Sequence, residues 1–199
     1  MADFRPLPLA AALACALTTP TFAESEPGRL IAALSGDWNG DEEPDAILLI
    51  QGMEGQAEIQ IFEGEFDGLQ PLFTVPGAVY AGSWSGQSPG LNPLTDNSFS
   101  ITTEQIGIGR TPWMAQVTVA YRDGIYMVAG YTYDFYDRID PAHTGSCEVN
   151  LLTGDYVVDV QRSDGTPNTS IQARSQRTAF PLTELIEGFT PAECRGLFR

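Results

Sequence analysis

The stretch "WMAQVTVAYRDGIYMVAGYTYDFY", residues 113–136, decides the fold, because two runs rich in valine, isoleucine and tyrosine flank a short polar turn. β-Branched and aromatic residues suit the pleated, half-buried surface of a strand. The turn Arg122-Asp123-Gly124 contains residues that tolerate the left-handed backbone of a tight hairpin. The stretch therefore predicts two antiparallel strands joined by a hairpin turn.

Similar patterns lie on both sides of this hairpin. Residues 147–162, "CEVNLLTGDYVVDVQR", predict a second hairpin about Thr153-Gly154-Asp155. Further strands are predicted at "AILLI" (46–50), "AEIQIFEG" (57–64) and "SIQARSQRTAF" (170–180).

Two other segments interrupt the strand pattern. Residues 76–98 are rich in Gly, Pro, Ser and Asn and predict a long ordered loop. Thr190, Pro191 and Glu193 match an N-cap, a proline at the first helical position and a capping-box glutamate. A helix of one or two turns that carries Cys194 is expected there. The sequence thus predicts an all-β domain over residues 24–199, with antiparallel hairpins forming a sandwich or partly open barrel and a short C-terminal helix.

Residues 1–23 have the features of a secretory signal peptide, with cleavage after Ala23. Arg5 precedes an uncharged apolar stretch, residues 9–17, which is too short to span a bilayer. Cys15 follows Ala-Leu-Ala, where the leucine is one place off a lipoprotein box, so lipidation is not expected. We expect a periplasmic or secreted protein with no transmembrane segment in the mature chain.

The chain after the signal peptide keeps two cysteines, Cys147 and Cys194. An isolated pair in an oxidising compartment is expected to form a disulfide, which would attach the C-terminal segment to a strand. Two free core thiols are the alternative.

The formal net charge of −16 excludes some classes of partner. All ten basic residues are arginine, and they form no stripe that could displace counterions from nucleic acid. An anionic membrane surface is disfavoured for the same reason. Such an acidic surface favours solubility, basic partners or divalent cations. We expect a partner among periplasmic or membrane-complex proteins.

The stretch "SGDWNGDEEPDAILLI", residues 35–50, places Asp37, Asn39, Asp41 and Asp45 at positions 1, 3, 5 and 9 of a loop. Calcium binds six to eight hard oxygens in flexible geometry, and the Glu43 carbonyl at position 7 can complete such a ring. An EF-hand is excluded, because it needs glycine at position 6 and glutamate at position 12, where this chain has Glu42 and Leu48. One structural calcium ion is expected. An acidic turn whose side chains cap their own backbone is the alternative.

This loop resembles the D-x-N-G-D-x-x-x-D loop of the FG-GAP or VCBS repeat. The resemblance continues through "AILLI" and "AEIQIFEGEFDGLQPL" and covers about residues 37–72, although Glu42 replaces the usual glycine. A propeller needs several blades, and no second copy of the loop occurs, so the resemblance implies a single repeat within a smaller fold. Residues 108–137, followed by "CEVNLLTG", also resemble the C-terminal half of small secreted proteobacterial proteins, which implies no activity.

Catalytic motifs are weak. Gly86-Gln87-Ser88-Pro89-Gly90 matches G-x-S-x-G, but Pro89 has no N–H for an oxyanion hole. His143 is the only histidine, so a multi-histidine zinc site is excluded. Asp134, Asp137 and Asp140 have spacings that suggest a glycosidase, yet a solvated rim at the end of a strand is the simpler interpretation, with a second weak cation site as a further alternative. We therefore predict no catalytic residue and no organic cofactor.

Tyr131, Tyr133 and Phe135 share one face of the predicted strand. They form either part of the core or, if exposed, an aromatic surface for a protein partner. The favoured function is a non-enzymatic binding domain or accessory subunit with one calcium loop. The alternative is a carboxylate-based hydrolase, or another enzyme acting on a saccharide or polymer, which would need two carboxylates facing each other in a cleft.

Overall fold

A computed structural model of the chain describes residues 28–52 and 55–198. The signal peptide predicted for residues 1–23, with its cleavage point after Ala23, and Cys15 lie outside the described residues. The described part forms two antiparallel sheets that do not close into a barrel, with two short 3-10 helices. The predicted all-β fold is therefore confirmed.

The smaller sheet, sheet A, contains four strands in chain order. They are β1 (Leu30–Gly36), β2 (Asp45–Gln51), β3 (Gln56–Glu65) and β4 (Gly68–Tyr80). The predicted strands at 46–50 and 57–64 are β2 and β3. Alternation in β3 buries Ala57, Ile59 and Ile61, as expected for a strand with one face on the core.

The larger sheet, sheet B, also follows chain order from β5 to β11. Its strands are β5 (Gly90–Thr95), β6 (Ser98–Gln105), β7 (Trp113–Arg122), β8 (Ile125–Tyr136), β9 (Thr144–Asn150), β10 (Asp155–Gln161) and β11 (Thr169–Arg174). A two-residue strand, β12 (Phe180–Pro181), pairs with β8 beyond the end of β9.

Both predicted hairpins are present. Strands β7 and β8 are joined by Asp123 and Gly124, whose φ angles of 52° and 83° are those of a left-handed turn. Strands β9 and β10 pair with Val158 opposite Cys147. The turn chemistry read from the sequence therefore sets the register of the centre of sheet B.

One continuous core lies between the sheets. Sheet A contributes Ile47, Leu49, Ile59 and Ile61, which are all fully or almost fully buried. Sheet B contributes Phe99, Ile101, Val119 and Val128, which are equally buried. Trp38, in the loop between β1 and β2, packs against Phe99 with ring centroids 5.5 Å apart. The acidic loop is thus anchored in the core by its tryptophan.

The long loop predicted for residues 76–98 is wrong in extent, because β4 continues to Tyr80 and β5 begins at Gly90. Pro76 and Pro93 lie in β4 and β5, each of which is at the edge of its sheet. A proline there does not remove a hydrogen bond from a neighbouring strand. The two sheets are joined by residues 81–89.

The C-terminal segment contains 3-10 helices at Leu182–Glu184 and Ala192–Phe198, so the predicted short helix is present in 3-10 form. Cys194 lies in the second and is bonded to Cys147 of β9, with Cα atoms 5.6 Å apart. The predicted disulfide is therefore present. Among the described residues, none of the helices has the length and apolar character needed to cross a membrane.

Candidate functional site: an acidic loop and an aromatic cavity

The acidic loop between β1 and β2 is organised by its own side chains. Asp37 Oδ1 accepts hydrogen bonds from the backbone N–H groups of Gly40 (2.7 Å) and Asp41 (3.1 Å), and its Oδ2 accepts one from Glu42 (3.0 Å). One carboxylate thereby turns three successive amides inward.

The next side chains continue this pattern. Asn39 Oδ1 accepts from the Asp41 backbone N–H (3.0 Å), and Asn39 Nδ2 donates to Asp41 Oδ2 (2.7 Å). Asp41 Oδ1 accepts from the backbone N–H of Glu43 (2.9 Å). Asp37, Asn39 and Asp41 are therefore brought together by a ring of short-range hydrogen bonds.

Glu42 has a backbone φ of 73°, in the left-handed region that favours glycine. This is position 6 of the loop, where the FG-GAP or VCBS repeat has glycine. The loop thus adopts the backbone of a glycine position with a residue that has a Cβ.

Asp45 is turned toward the core, although one of its hydrogen-bond donors is a backbone amide of the loop. It is fully buried, and its Oδ2 accepts hydrogen bonds from the Trp38 backbone N–H (3.0 Å) and the Tyr126 hydroxyl (3.1 Å). Its Oδ1 accepts from the Gly64 backbone N–H (3.1 Å). These three donors satisfy a buried carboxylate that would otherwise be costly to desolvate.

The buried carboxylate affects its neighbours. Burial, reinforced by the negative charge of Asp45, raises the pKa of Tyr126 far above its ordinary value. Burial, with the charges of Asp45 and Asp41, also raises the pKa of Glu63. The Tyr126 hydroxyl therefore remains a donor at neutral and moderately alkaline pH.

The predicted calcium ligands are thus divided between two places. Asp37, Asn39, Asp41 and the Glu43 backbone lie together in the turn, whereas Asp45 is engaged with the core. Within residues 28–52 and 55–198, no group of three or more His, Cys, Asp and Glu residues is arranged to hold a metal ion. The predicted ligand set includes an amide and a carbonyl oxygen, and calcium binding stays a prediction.

An aromatic cavity of about 710 Å³ lies between sheet B, the end of β4 of sheet A and the C-terminal segment. A row of rings forms its wall: Tyr80 and Trp113 have centroids 5.8 Å apart, and Trp113 stacks on Tyr133 at 6.2 Å. Tyr133 is followed by Phe135 at 6.3 Å, and Phe135 by His143 at 5.4 Å.

The strand register places these rings on one face. Trp113 pairs with Phe135, Ala115 with Tyr133, and Phe135 in turn with Gly145. A Cβ on Gly145 would lie 2.2 Å from the Phe135 ring, so the glycine makes room for that ring. Burial raises the pKa of Tyr133 to about 12. Its phenol is therefore neutral at neutral pH.

The C-terminal segment forms the opposite wall through Glu187, Gly188, Phe189 and Thr190. Phe189 packs edge-on against Tyr131 with centroids 5.9 Å apart. Glu187 Oε2 accepts a short hydrogen bond from Gln56 Nε2 of β3. The disulfide Cys147–Cys194 closes a separation of 47 residues, which the chain-entropy relation values at about 4 kcal/mol. This wall is therefore fastened to both sheets.

Tyr131, Tyr133 and Phe135 are buried and line this cavity, so they do not form the flat exposed surface considered for a protein partner. A molecule could contact them only by entering the cavity. Among the described residues that line it, Glu187 is the single carboxylate.

The other candidates from the sequence lie outside the cavity, in a loop or on the exposed side of a strand. Ser88 is exposed in the loop 81–89, and Pro89 follows it. Asp134 points away from the buried rings of Tyr133 and Phe135. Burial and the charge of Glu148 raise the Asp134 pKa.

Asp137 anchors the connection between β8 and β9. Arg110 Nε donates to both of its oxygens (3.0 and 2.7 Å), and it accepts from the backbone N–H groups of Ile139 (2.8 Å) and Asp140 (3.2 Å). The Arg110 hydrogen bonds hold the Asp137 pKa well below its usual range. His143 Nδ1 lies 3.9 Å from this carboxylate. These contacts indicate a structural role.

Fold and site together define a two-sheet antiparallel β-domain whose two sheets and C-terminal segment enclose an aromatic cavity. Comparison of the chain with protein-family models, curated proteins and solved structures finds no match. The likeness to an FG-GAP or VCBS repeat therefore remains a resemblance of residues 37–72.

Several cavity residues were not identified from the sequence, notably Tyr80, Glu187 and Phe189. Trp113 and Tyr133 lie on the predicted hairpin, and their shared face could have indicated a common wall. Glu187 and Phe189 lie in an irregular segment, so no periodic pattern marks them.

Proposed function

We propose that this protein is an extracytoplasmic, non-enzymatic binding domain whose ligand occupies the aromatic cavity. The observation that carries the proposal is the cavity itself, which at about 710 Å³ has the size of small-molecule sites. Its rings offer apolar contact area, and a few polar groups at its margin could orient a ligand. The one carboxylate among the described lining residues supports binding over the two-carboxylate chemistry of a glycosidase.

The location outside the cytoplasm rests on the predicted signal peptide and agrees with the disulfide. The calcium loop is the second part of the proposal, with a structural role. Its turn is fixed to the core through Trp38 and Asp45, so an ion bound by Asp37, Asn39 and Asp41 would stabilise the edge of sheet A.

The test is a screen of aromatic small molecules by ligand-detected NMR, followed by amide shift mapping on the protein. Binders should shift the amides of Thr103 and Thr190, and Ala115→Phe, which fills the cavity, should abolish binding. Ala173→Phe, on the exposed face of β11, is the matched control and should bind normally. Binding that survives Ala115→Phe would contradict the proposal.

A protein partner is the second candidate, because a large aromatic residue is exposed. Trp84 is 68% exposed. The nearby Ile106 is also exposed, and its backbone N–H donates to Gly86 of the same loop (2.8 Å). Exposed aromatic residues are typical anchors of protein interfaces. Cross-linking from the native compartment should recover a protein that Trp84→Ala no longer captures; equal recovery would remove this candidate.

A further inference from the structure

The charged groups around the cavity are not equally available to a ligand. Arg162 Nη1 donates to the Pro167 carbonyl (3.0 Å) and to Thr169 Oγ1 (3.1 Å), which draws its guanidinium toward the connection before β11. His143 has an ionised neighbour, since Asp137 is paired with Arg110. The Arg162 guanidinium is therefore directed toward two neutral acceptors that do not line the cavity, and it keeps its charge.

Glu187 is in a different position. Gln56 donates to its Oε2, whereas no donor among the described residues bonds to its Oε1. The hydrogen bond fixes the carboxylate beside the end of β4, because Gln56 pairs with Tyr80. Glu187 Oε1 is thus available to accept a hydrogen bond or an ion pair from a ligand.

The aromatic wall of the cavity, like the Glu187 carboxylate, favours a cation over an anion. The faces of Trp and Tyr rings carry negative potential and attract cations, most strongly where water is excluded. Tyr80, Trp113 and Tyr133 form a continuous row of such rings. The whole chain carries a formal charge of −16, which raises the local concentration of cations over anions.

We propose that the cavity binds a small organic ammonium ion, with its cationic group between Glu187 and the Trp113 ring and its apolar body along Tyr133 and Phe135. This inference rests on the proposed function, because it requires the cavity to be a ligand site. An inorganic cation is not favoured, since the lining that the structure describes is mainly aromatic and apolar and supplies one carboxylate.

The test compares phenyltrimethylammonium with 2-phenyl-2-propanol, an uncharged molecule of nearly the same shape, by NMR titration of the intact protein. The ammonium probe should bind about tenfold more tightly. Glu187→Gln should remove most of this preference and leave the affinity for the alcohol unchanged. Glu184→Gln removes the same charge from an exposed site in the same segment and should change neither.

The outcomes separate the two proposals. Equal affinities of the unmodified protein for both probes would overturn the ammonium inference and leave the cavity as a binding site. If Glu184→Gln and Glu187→Gln reduce the preference for the ammonium probe equally, the preference comes from net charge. That result would overturn the placement of the cationic group beside Glu187. Failure of both probes to bind at about 10 mM, where ordinary pockets hold fragments, would overturn both proposals. The comparison of the two probes on the unmodified protein tests the ammonium preference even if a variant does not fold.

Discussion

The Tyr126 hydroxyl donates a 3.1 Å hydrogen bond to the Asp45 carboxylate, joining residues 81 positions apart on different sheets. A hydrogen bond to a charged group contributes about 1.5–3 kcal/mol, and its loss leaves a buried acceptor short of a donor. Tyr126→Phe should therefore lower the free energy of unfolding by about that amount, as measured by urea denaturation.

Tyr121→Phe is the matched control for this effect. Tyr121 packs edge-on against Tyr126, with centroids 5.0 Å apart, and removing its hydroxyl leaves the Asp45 hydrogen bonds in place. Its free energy of unfolding should change by less than about 0.5 kcal/mol. Equal losses in the two variants would show that the Asp45 contact has no special role.

Glu42→Gly should stabilise the protein. The φ of 73° is strained for a residue with a Cβ and ordinary for glycine. We expect a gain of about 1 kcal/mol in the free energy of unfolding. Glu43→Gly removes the same charge at a position without a positive φ, and should cost about 0.5–1 kcal/mol. A loss of stability in Glu42→Gly would contradict this account of the loop backbone.

Calcium should raise the melting temperature if the acidic loop binds the ion. With a dissociation constant of about 0.1 mM, 1 mM calcium adds about 1.4 kcal/mol, or roughly 3 to 6 °C for a domain of this size. Asp41→Ala should abolish the response, and Asp67→Ala, in the turn between β3 and β4, should retain it. A melting temperature unchanged by calcium and by chelator would leave the loop as an acidic turn stabilised by its own hydrogen bonds.

The free energy of unfolding should fall at acid pH, because protonation of Asp137 removes its pairing with Arg110. Its folded-state pKa is lowered by Arg110, so its contribution is present above the unfolded pKa of about 3.9 and is lost as pH falls through the folded value. Arg110→Ala should flatten this decline in a series of urea denaturations below pH 4. Arg122→Ala, an exposed arginine on the β7–β8 hairpin, should leave the decline intact, and equal slopes in all three proteins would refute the assignment.

The parts of the fold that the sequence predicted are those determined by local chemistry. The Asp123-Gly124 turn and the alternation in β3 each depend on neighbours along the chain. The extent of the loop after β4 was misjudged, because proline and glycine mark an edge strand as readily as a loop. Only the sheet order shows that β4 and β5 are edges.

The candidate site was predictable to a smaller extent. The acidic loop was evident from the spacing of its oxygens, but the burial of Asp45 beneath Tyr126 depends on how the two sheets pack. The aromatic face of β8 was recognised from the sequence. It lines a cavity only because the C-terminal segment with Glu187 and Phe189 packs over it. Contacts between distant segments leave no periodic signal in a single sequence.

The strand order within each sheet has a consequence for how the molecule assembles. Neighbouring strands from β1 to β4, and again from β5 to β11, are neighbours along the chain. Loop-closure entropy for such pairings is small, so each sheet can grow by adding one hairpin at a time. Docking of the sheets, which brings Asp45 to Tyr126, must span 81 residues and is expected to come late. In refolding kinetics Tyr126→Phe should then mainly speed unfolding and leave the folding rate nearly unchanged, whereas a folding rate that falls with stability would indicate that sheets and interface form together.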